Sequence, residues 1–255
     1  SMVLGPIAGF STIITLNAFF TSQKKQKRLF YLVIIIISFL VCLLAASRGA
    51  LVSLLASTLF LIFITFKNNK KKLFKIAFII ITLFLATSSL WISYAELLLL
   101  KNEARVESGD ILSGRENMWI DRIEDFKYSP LYGVGFSSMK FTNNSSMHNN
   151  GTFEPGSSWL FLLSTLGILG FSVFIFLFFK PIIYLINTKC NINNNYFLIC
   201  SIVVFFSAHL IIEGYIISTG GFLSFFLWLS ISLGQKRALR FISKYEKASA
   251  SKLGS

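Results

Sequence analysis

The chain has 255 residues, 54% of them hydrophobic and only 14% charged. Soluble domains carry about a quarter charged residues, so a soluble globular protein is excluded. The net charge of +13 does not point to nucleic acid, because the basic residues sit in short clusters between apolar runs and form no continuous basic face. A bilayer core of about 30 Å needs roughly 20 apolar residues in a helix. Seven stretches meet or approach that length: Val3–Phe20, Leu29–Ala46, Ala50–Phe66, Leu73–Ile92, Ser158–Phe179, Tyr196–Ile212 and Ile216–Leu233. Their hydropathy is persistent and lacks both amphipathic and period-two patterning, which excludes a membrane barrel. The expected fold is an all-α polytopic bundle of about seven transmembrane helices in one domain, 1–255.

Charge sets the expected topology. Basic residues cluster at Lys24, Lys25, Lys27 and Arg28, at Lys67, Lys70, Lys71, Lys72 and Lys75, at Lys180 and Lys189, and in the tail from Lys236 to Lys252. Seven crossings place all of them on one side, the positive-inside arrangement. The tail 236–255 is then cytoplasmic and the long loop 95–157 lies outside. Nine of the eleven acidic residues fall in that loop. Cys42, Cys190 and Cys200 have no metal or disulfide spacing and read as small buried hydrophobes.

Within the loop, Ser113-Gly-Arg-Glu116 matches a capping box, with Ser113 as N-cap and Glu116 at N3. A short helix from Gly114 to about Lys127 follows, with Arg115, Trp119, Arg122 and Phe126 on one face. Ser129-Pro130 ends it, and Gly133-Val-Gly135 makes a turn.

Several polar residues are candidates for chemistry. Arg48, in Ser-Arg-Gly-Ala between two apolar runs, is either a snorkelling arginine in a tight turn or an anion ligand facing a cavity. Arg115 and Arg122 suit bidentate phosphate recognition, against the simpler reading of local ion pairs with Glu116 or Asp125. His148 and Glu154 precede the fifth span and are candidate general bases; Glu154 also suits the helix dipole. His209 and Glu213 are four apart near the outer end of the sixth span and can face each other. No nucleotide loop, zinc triad or hydrolase elbow is present, so neither a metal nor a cofactor is expected.

Five strings occur in order: Ala46-Ser-Arg-Gly-Ala-Leu51, Ser113-Gly-Arg-Glu-Asn-Met-Trp119, Ser129-Pro-Leu-Tyr-Gly-Val-Gly-Phe136, His148-Asn149, and Trp159-Leu160 with Leu166-Gly-Ile-Leu-Gly170. Together, over about residues 30–180, they resemble the bacterial O-antigen ligase and O-antigen polymerase superfamily. The resemblance implies a GT-C-like membrane glycosyltransferase of the bacterial inner membrane, needing neither metal nor nucleotide. Its donor would be an undecaprenyl-diphosphate-linked glycan and its acceptor a glycan or glycolipid, with membrane lipid around it and a chain-length regulator as a possible partner. It further implies that Arg48 and Arg115 hold the diphosphate and that His148 lies near the acceptor or serves as base.

This sequence departs from the family in one place. Many members carry the His-Asn pair eleven residues before the first Gly of Gly-x-x-Gly. Gly156 stands there in this chain and His148 lies eight residues earlier, which gives Glu154, Ser157 and Ser158 a share in the expected role. Members also have more than seven helices, so the chain is read as the later part of a longer protein. The expected activity is glycan polymerisation; the alternatives are a ligase and, in another class, a polyprenyl-lipid or glycan transporter.

Overall fold

In the computed structural model the described residues are 3–45, 47–75, 115–136, 155–187, 194–216, 218 and 221–253. They form seven helices and no strand: α1 (Leu4–Thr21), α2 (Lys25–Leu44), α3 (Arg48–Phe66), α4 (Arg115–Tyr128), α5 (Ser158–Asn187), α6 (Asn194–His209) and α7 (Phe222–Leu253). Four are long and apolar enough to cross a membrane, namely α1, α2, α3 and α5, and α6 is apolar but shorter. The protein is an all-α membrane protein. Most of the expected span Leu73–Ile92, from residue 76 on, lies outside the described residues.

The core of the bundle is α1, α3 and α6, and small residues decide how closely they approach. On α1, Gly5, Ala8, Gly9 and Thr12 make one buried stripe. A Cβ at Gly5 would lie 2.8 Å from the Ser47 Cβ, and one at Gly9 would lie 2.9 Å from the Phe205 ring. Close backbone packing of this kind drives helix association where lipid is as apolar as leucine. Ser53 and Ser57 of α3 are fully buried, and they return their hydroxyl protons to Gly49 O (2.7 Å) and Leu54 O (3.0 Å). Neither of these two hydroxyl hydrogens is left facing hydrocarbon. Helix α2 packs on α1 but buries only Cys42, so its apolar surface is left for lipid.

Helix α5 is two pieces. Gly167 breaks it at φ 62°, ψ −176°, a conformation open essentially to glycine alone. In a straight helix Trp159 and Phe178 would be about 28 Å apart. Their ring centroids are 5.1 Å apart, and Trp159 also meets Phe171, Phe174 and Phe179. The chain therefore folds back at Gly167: an arm from Ser158 to Leu166 returns along the body of the helix, Ile168–Asn187. The expected crossing Ser158–Phe179 is replaced by this body, which is about 30 Å long and sufficient to span.

The break is filled from outside. The segment after α4 inserts into it and exchanges backbone hydrogen bonds with both sides. Val134 N donates to Ser164 O (2.9 Å) and Gly135 N to Thr165 O (3.0 Å); Ile168 N donates to Pro130 O (2.9 Å) and Leu169 N to Leu131 O (3.3 Å). Gly133, at φ 74°, passes so close to Thr165 and Gly167 that no side chain fits. The strings Pro130–Gly135 and Leu166–Gly170 thus form one strap across a broken helix.

Pro181 lies within the body of α5 and has no N–H to give the carbonyl of Leu177. Gln235 of α7 supplies the missing donor at 3.0 Å. Gly234 allows this approach, since a Cβ there would lie 2.8 Å from the Pro181 ring. Tyr196 and Cys200 of α6 donate to the Pro181 carbonyl, Tyr196 at 2.8 Å. Helix α7 starts at Phe222, later than the expected Ile216, because the chain from Leu210 to Ile216 turns through the site described next; the helix then runs on through the basic tail to Leu253.

Candidate functional site

Polar groups gather where the α6–α7 connection meets the first turn of α3. Ser47 caps α3, its Oγ accepting from Ala50 N at 3.4 Å. Arg48, the first helical residue, is exposed, and Gly49 and Ala50 are buried. The α3 N-terminus therefore presents a cation beside a helix end that itself favours anions.

His209, the last residue of α6, is fully buried. Its ring stacks flat on Phe205 (centroids 5.8 Å, 9°). Its Nδ1 is 2.9 Å from the Tyr215 hydroxyl. Glu213 does not turn toward His209, although they are four apart, because α6 ends there. Instead Glu213 reaches Arg115 of α4, with Nη2 to Oε1 at 2.9 Å. Arg115 also donates to the carbonyl of Ile212. Glu213 is itself fixed from below: its carbonyl accepts from Ser158 N (3.1 Å) and Ser158 Oγ (2.6 Å), and Ser158 Oγ accepts from Ile216 N (3.3 Å). Tyr215, half-buried and beside Glu213, has its hydroxyl pushed well above the usual phenol range, desolvation of the hydroxyl being the larger cause.

Helix α4 covers the expected helical stretch, starting at Arg115 and ending at Tyr128, and the expected N-cap, Ser113, lies outside the described residues. Its buried face holds Met118, Asp121, Arg122 and Asp125, and Trp119 and Phe126 are half-buried beside them. The usual polarity is inverted, since Ile120 (52%) and Ile123 (41%) point outward. Arg122 is 1% exposed and pairs with Asp125 at 3.2 Å. Burial lowers the Arg122 guanidinium from its ordinary range, with Asp125 and Asp121 opposing the shift. Gly156, eight residues after His148, has φ 71°. A Cβ there would lie 3.0 Å from Met118, so packing against α4 leaves little room for a ring.

The structure thus brings Arg115, Glu213 and His209 to the α3 end that carries Arg48, and sets Arg122 apart on the face of α4 with its carboxylate partner. His148 and Glu154 lie outside the described residues. Ser157 and Ser158 are buried, Ser158 as a bracket for the α6–α7 connection. Tyr215 and the Ile212 carbonyl were not foreseen; a tyrosine six residues after a histidine fits no helical spacing. Among the described residues no group of three or more His, Cys, Asp or Glu side chains is placed to hold a metal. Cys42 and Cys200 are buried free thiols.

Fold and site together define a multi-pass helical membrane protein with arginines and a buried histidine gathered at one end of the bundle. The O-antigen ligase family model matches residues 31–175, which is more than half of the chain, and the chain belongs to that family. No curated protein and no solved structure matches it. The matched stretch carries Arg48, Arg115, the strap and the break in α5; His209, Glu213 and Tyr215 lie beyond it.

Proposed function

We propose that the chain polymerises surface-polysaccharide repeat units, taking each growing glycan from an undecaprenyl-diphosphate donor at the outer face of the bacterial inner membrane. The observation that carries this reading is the convergence of Arg48 and Arg115 on one end of the bundle, both within the stretch shared with the O-antigen ligase family. A departing polyprenyl diphosphate gathers negative charge, which two guanidinium groups and a helix N-terminus stabilise without a metal. An acceptor hydroxyl attacks the anomeric carbon, the bond from that carbon to the diphosphate oxygen breaks, and the diphosphate leaves on its lipid carrier. The hydroxyl proton passes to a base, for which His148 and Glu154 are the candidates. Arg122, buried against Asp125, would serve by holding α4 in place, so that Arg115 is presented correctly.

The basic clusters support a topology in which loop 95–157 is outside and the tail 236–255 is cytoplasmic. The expected partners are the lipid-linked glycan, an acceptor glycan or glycolipid, surrounding lipid and a chain-length regulator.

The test is a deletion strain complemented with wild type, Arg48→Ala or Arg115→Ala at matched protein level. Loss of polymer with single repeat units on the acceptor is expected in both variants. Accumulation of full-length polymer on the lipid carrier would instead establish a ligase, and normal polymer in both variants would end the enzymatic assignment. In the last case, transport of lipid-linked glycan by the purified protein in vesicles would mark a transporter.

A further inference from the structure

Helix α4 turns its charges inward and its isoleucines outward. Asp121, Arg122 and Asp125 are buried, whereas Ile120 and Ile123 are exposed. At about 100° per residue, Phe126, Trp119, Ile123 and Ile120 fall in one arc of about 120°, the width of an ordinary apolar stripe. Phe126 and Trp119 are its half-buried edge toward the bundle, and Ile123 and Ile120 are its open edge. Glu116 and Lys127 share the arc, one at each end of the helix. A carboxylate suits the N-terminal end of the dipole, and a lysine stem covers apolar surface while its ammonium reaches water. The rest of the exposed side is polar, with Asn117 and Glu124 next to each other around the helix.

A helix with water along its whole outer side gains by turning isoleucines in and carboxylates out. In α4 the reverse arrangement holds, and the exposed side is split into an apolar flank and a polar flank. Its surroundings are therefore apolar on one flank and aqueous on the other.

The apolar flank adjoins a surface of known kind. Two residues after α4 the strap begins, and its Leu131 and Tyr132 are exposed. The Pro130 carbonyl accepts from Ile168 N (2.9 Å) and the Leu131 carbonyl from Leu169 N (3.3 Å), which puts the strap at the first turn of the α5 body. Leu169, Val173, Phe176 and Leu177 are exposed along that body, at the spacing of a single helix face, on a helix long and apolar enough to cross a membrane. This stripe faces lipid, and Leu131 and Tyr132 extend it past the end of the crossing, where tyrosine is favoured at the membrane–water boundary. The other end of α4 is at the same end of the bundle. Arg115 pairs with Glu213, just beyond the last turn of α6, while the first turn of α6 is at the opposite end, where Tyr196 meets Pro181. Both ends of α4 are thus tied at the level where the crossing of α5 begins.

We propose that α4 is an interfacial helix whose Ile120–Ile123 flank, with Leu131 and Tyr132, is seated in the lipid leaflet at the Ile168 end of α5, leaving Asn117 and Glu124 in water. The partner of this surface is bilayer lipid. Amphipathic helices that lie in a membrane surface bury one apolar flank at the boundary of headgroups and acyl chains in this way. Lipid on one flank and the Arg115–Glu213 ion pair together hold α4 between bilayer and bundle. The lipid contact holds whichever reaction the chain performs.

The test is spin-label accessibility in nanodiscs of dioleoyl phosphatidylcholine. It uses full chains in which Cys42, Cys190 and Cys200 are replaced by alanine and a single cysteine is introduced as Ile120→Cys, Ile123→Cys, Tyr132→Cys, Asn117→Cys, Glu124→Cys or Val173→Cys. Oxygen concentrates in lipid and a nickel chelate stays in water. The ratio of oxygen to chelate collision rates is expected to be several-fold higher at positions 120, 123 and 132 than at 117 and 124, and shifted toward the value at 173, the lipid-facing reference. Ratios at 120 and 123 equal to that at 117 would put the flank in water. Low collision rates with both reagents would put protein over it, either residues 76–114 or 137–154 or a second copy of the chain. Either result overturns the proposal. A second measurement keeps the native cysteines: p-benzoylphenylalanine is placed at position 120 or 123, irradiated in the same nanodiscs and read by mass spectrometry. Lipid adducts are expected. Crosslinks to this chain or to a second copy, without lipid adducts, would overturn the proposal even if the alanine background does not fold. None of these readings depends on Arg48 or Arg115, whose variants test the activity separately.

Discussion

Replacing Gly167 by alanine tests the fold-back of α5 directly. At φ 62°, ψ −176° an alanine is strained by about 1–3 kcal/mol. Its Cβ would also meet the Leu131 carbonyl and Gly133 N, so the strap has to withdraw. Withdrawal breaks four backbone hydrogen bonds, those of Val134, Gly135, Ile168 and Leu169. At about 1 kcal/mol net for each bond, strain and lost bonds together come to about 5–7 kcal/mol, against a typical total stability of about 5–15 kcal/mol. The assay is amide hydrogen exchange on protein in nanodiscs, read at those four positions and accompanied by thermal unfolding. Wild type should protect all four amides. Gly167→Ala should release them together and lower the unfolding temperature, whereas Val173→Ala, on the exposed side of the body of α5, should keep all four protected. Retained protection and an unchanged unfolding temperature in Gly167→Ala would show that α5 is a continuous helix and that the strap does not exist.

Two further substitutions probe a buried ion pair and an interhelical hydrogen bond. Asp125→Ala removes the partner 3.2 Å from a guanidinium that is 1% exposed, and breaking a buried pair costs about 3–5 kcal/mol; the exposed Glu124→Ala should cost less than about 0.5 kcal/mol, so denaturation that does not distinguish the two would contradict the described burial. Gln235→Leu removes the donor to the Leu177 carbonyl and should cost about 1–3 kcal/mol for an unsatisfied acceptor. In that background Pro181→Ala, which restores a helical N–H to the same carbonyl, should recover part of the loss in the same unfolding measurement.

Hydropathy made the membrane helices legible, because apolar length is what a bilayer selects. The helix from Arg115 to Tyr128 was legible in the sequence, and the spacing of Arg115, Trp119 and Arg122 put them on one face. The inward placement of Asp121 and Asp125 was not, since it depends on what α4 packs against. Nor was the reversal at Gly167 legible: the residues on both sides are equally apolar, and hydropathy carries no sign for direction. The two glycine strings were visible as motifs, but their meaning is a set of hydrogen bonds between backbones 30 or more residues apart. In the site, Arg48 and Arg115 were visible as cations near helix ends. The His209–Tyr215 contact needs the turn after α6, whose course follows from the Ser158 bracket and from the room Gly214 leaves for Pro155. A fully helical extrapolation past His209 pairs it with Glu213 instead.

The strap across α5 also bears on how such proteins diversify. Phe136 rests against Phe161, and Pro155 is buried against Gly214, so both borders of the stretch 137–154 are tied to the bundle. Insertions, deletions or exchanges confined to 137–154 leave the register of Arg115, the strap and Ser158 untouched. Residues 129–135 and 164–169, by contrast, must be inherited together, because each satisfies the other's main chain. A chimera joined between Phe136 and Pro155 therefore pairs two foreign halves of one strap, while a chimera that swaps 137–154 alone keeps both halves of the strap from one parent.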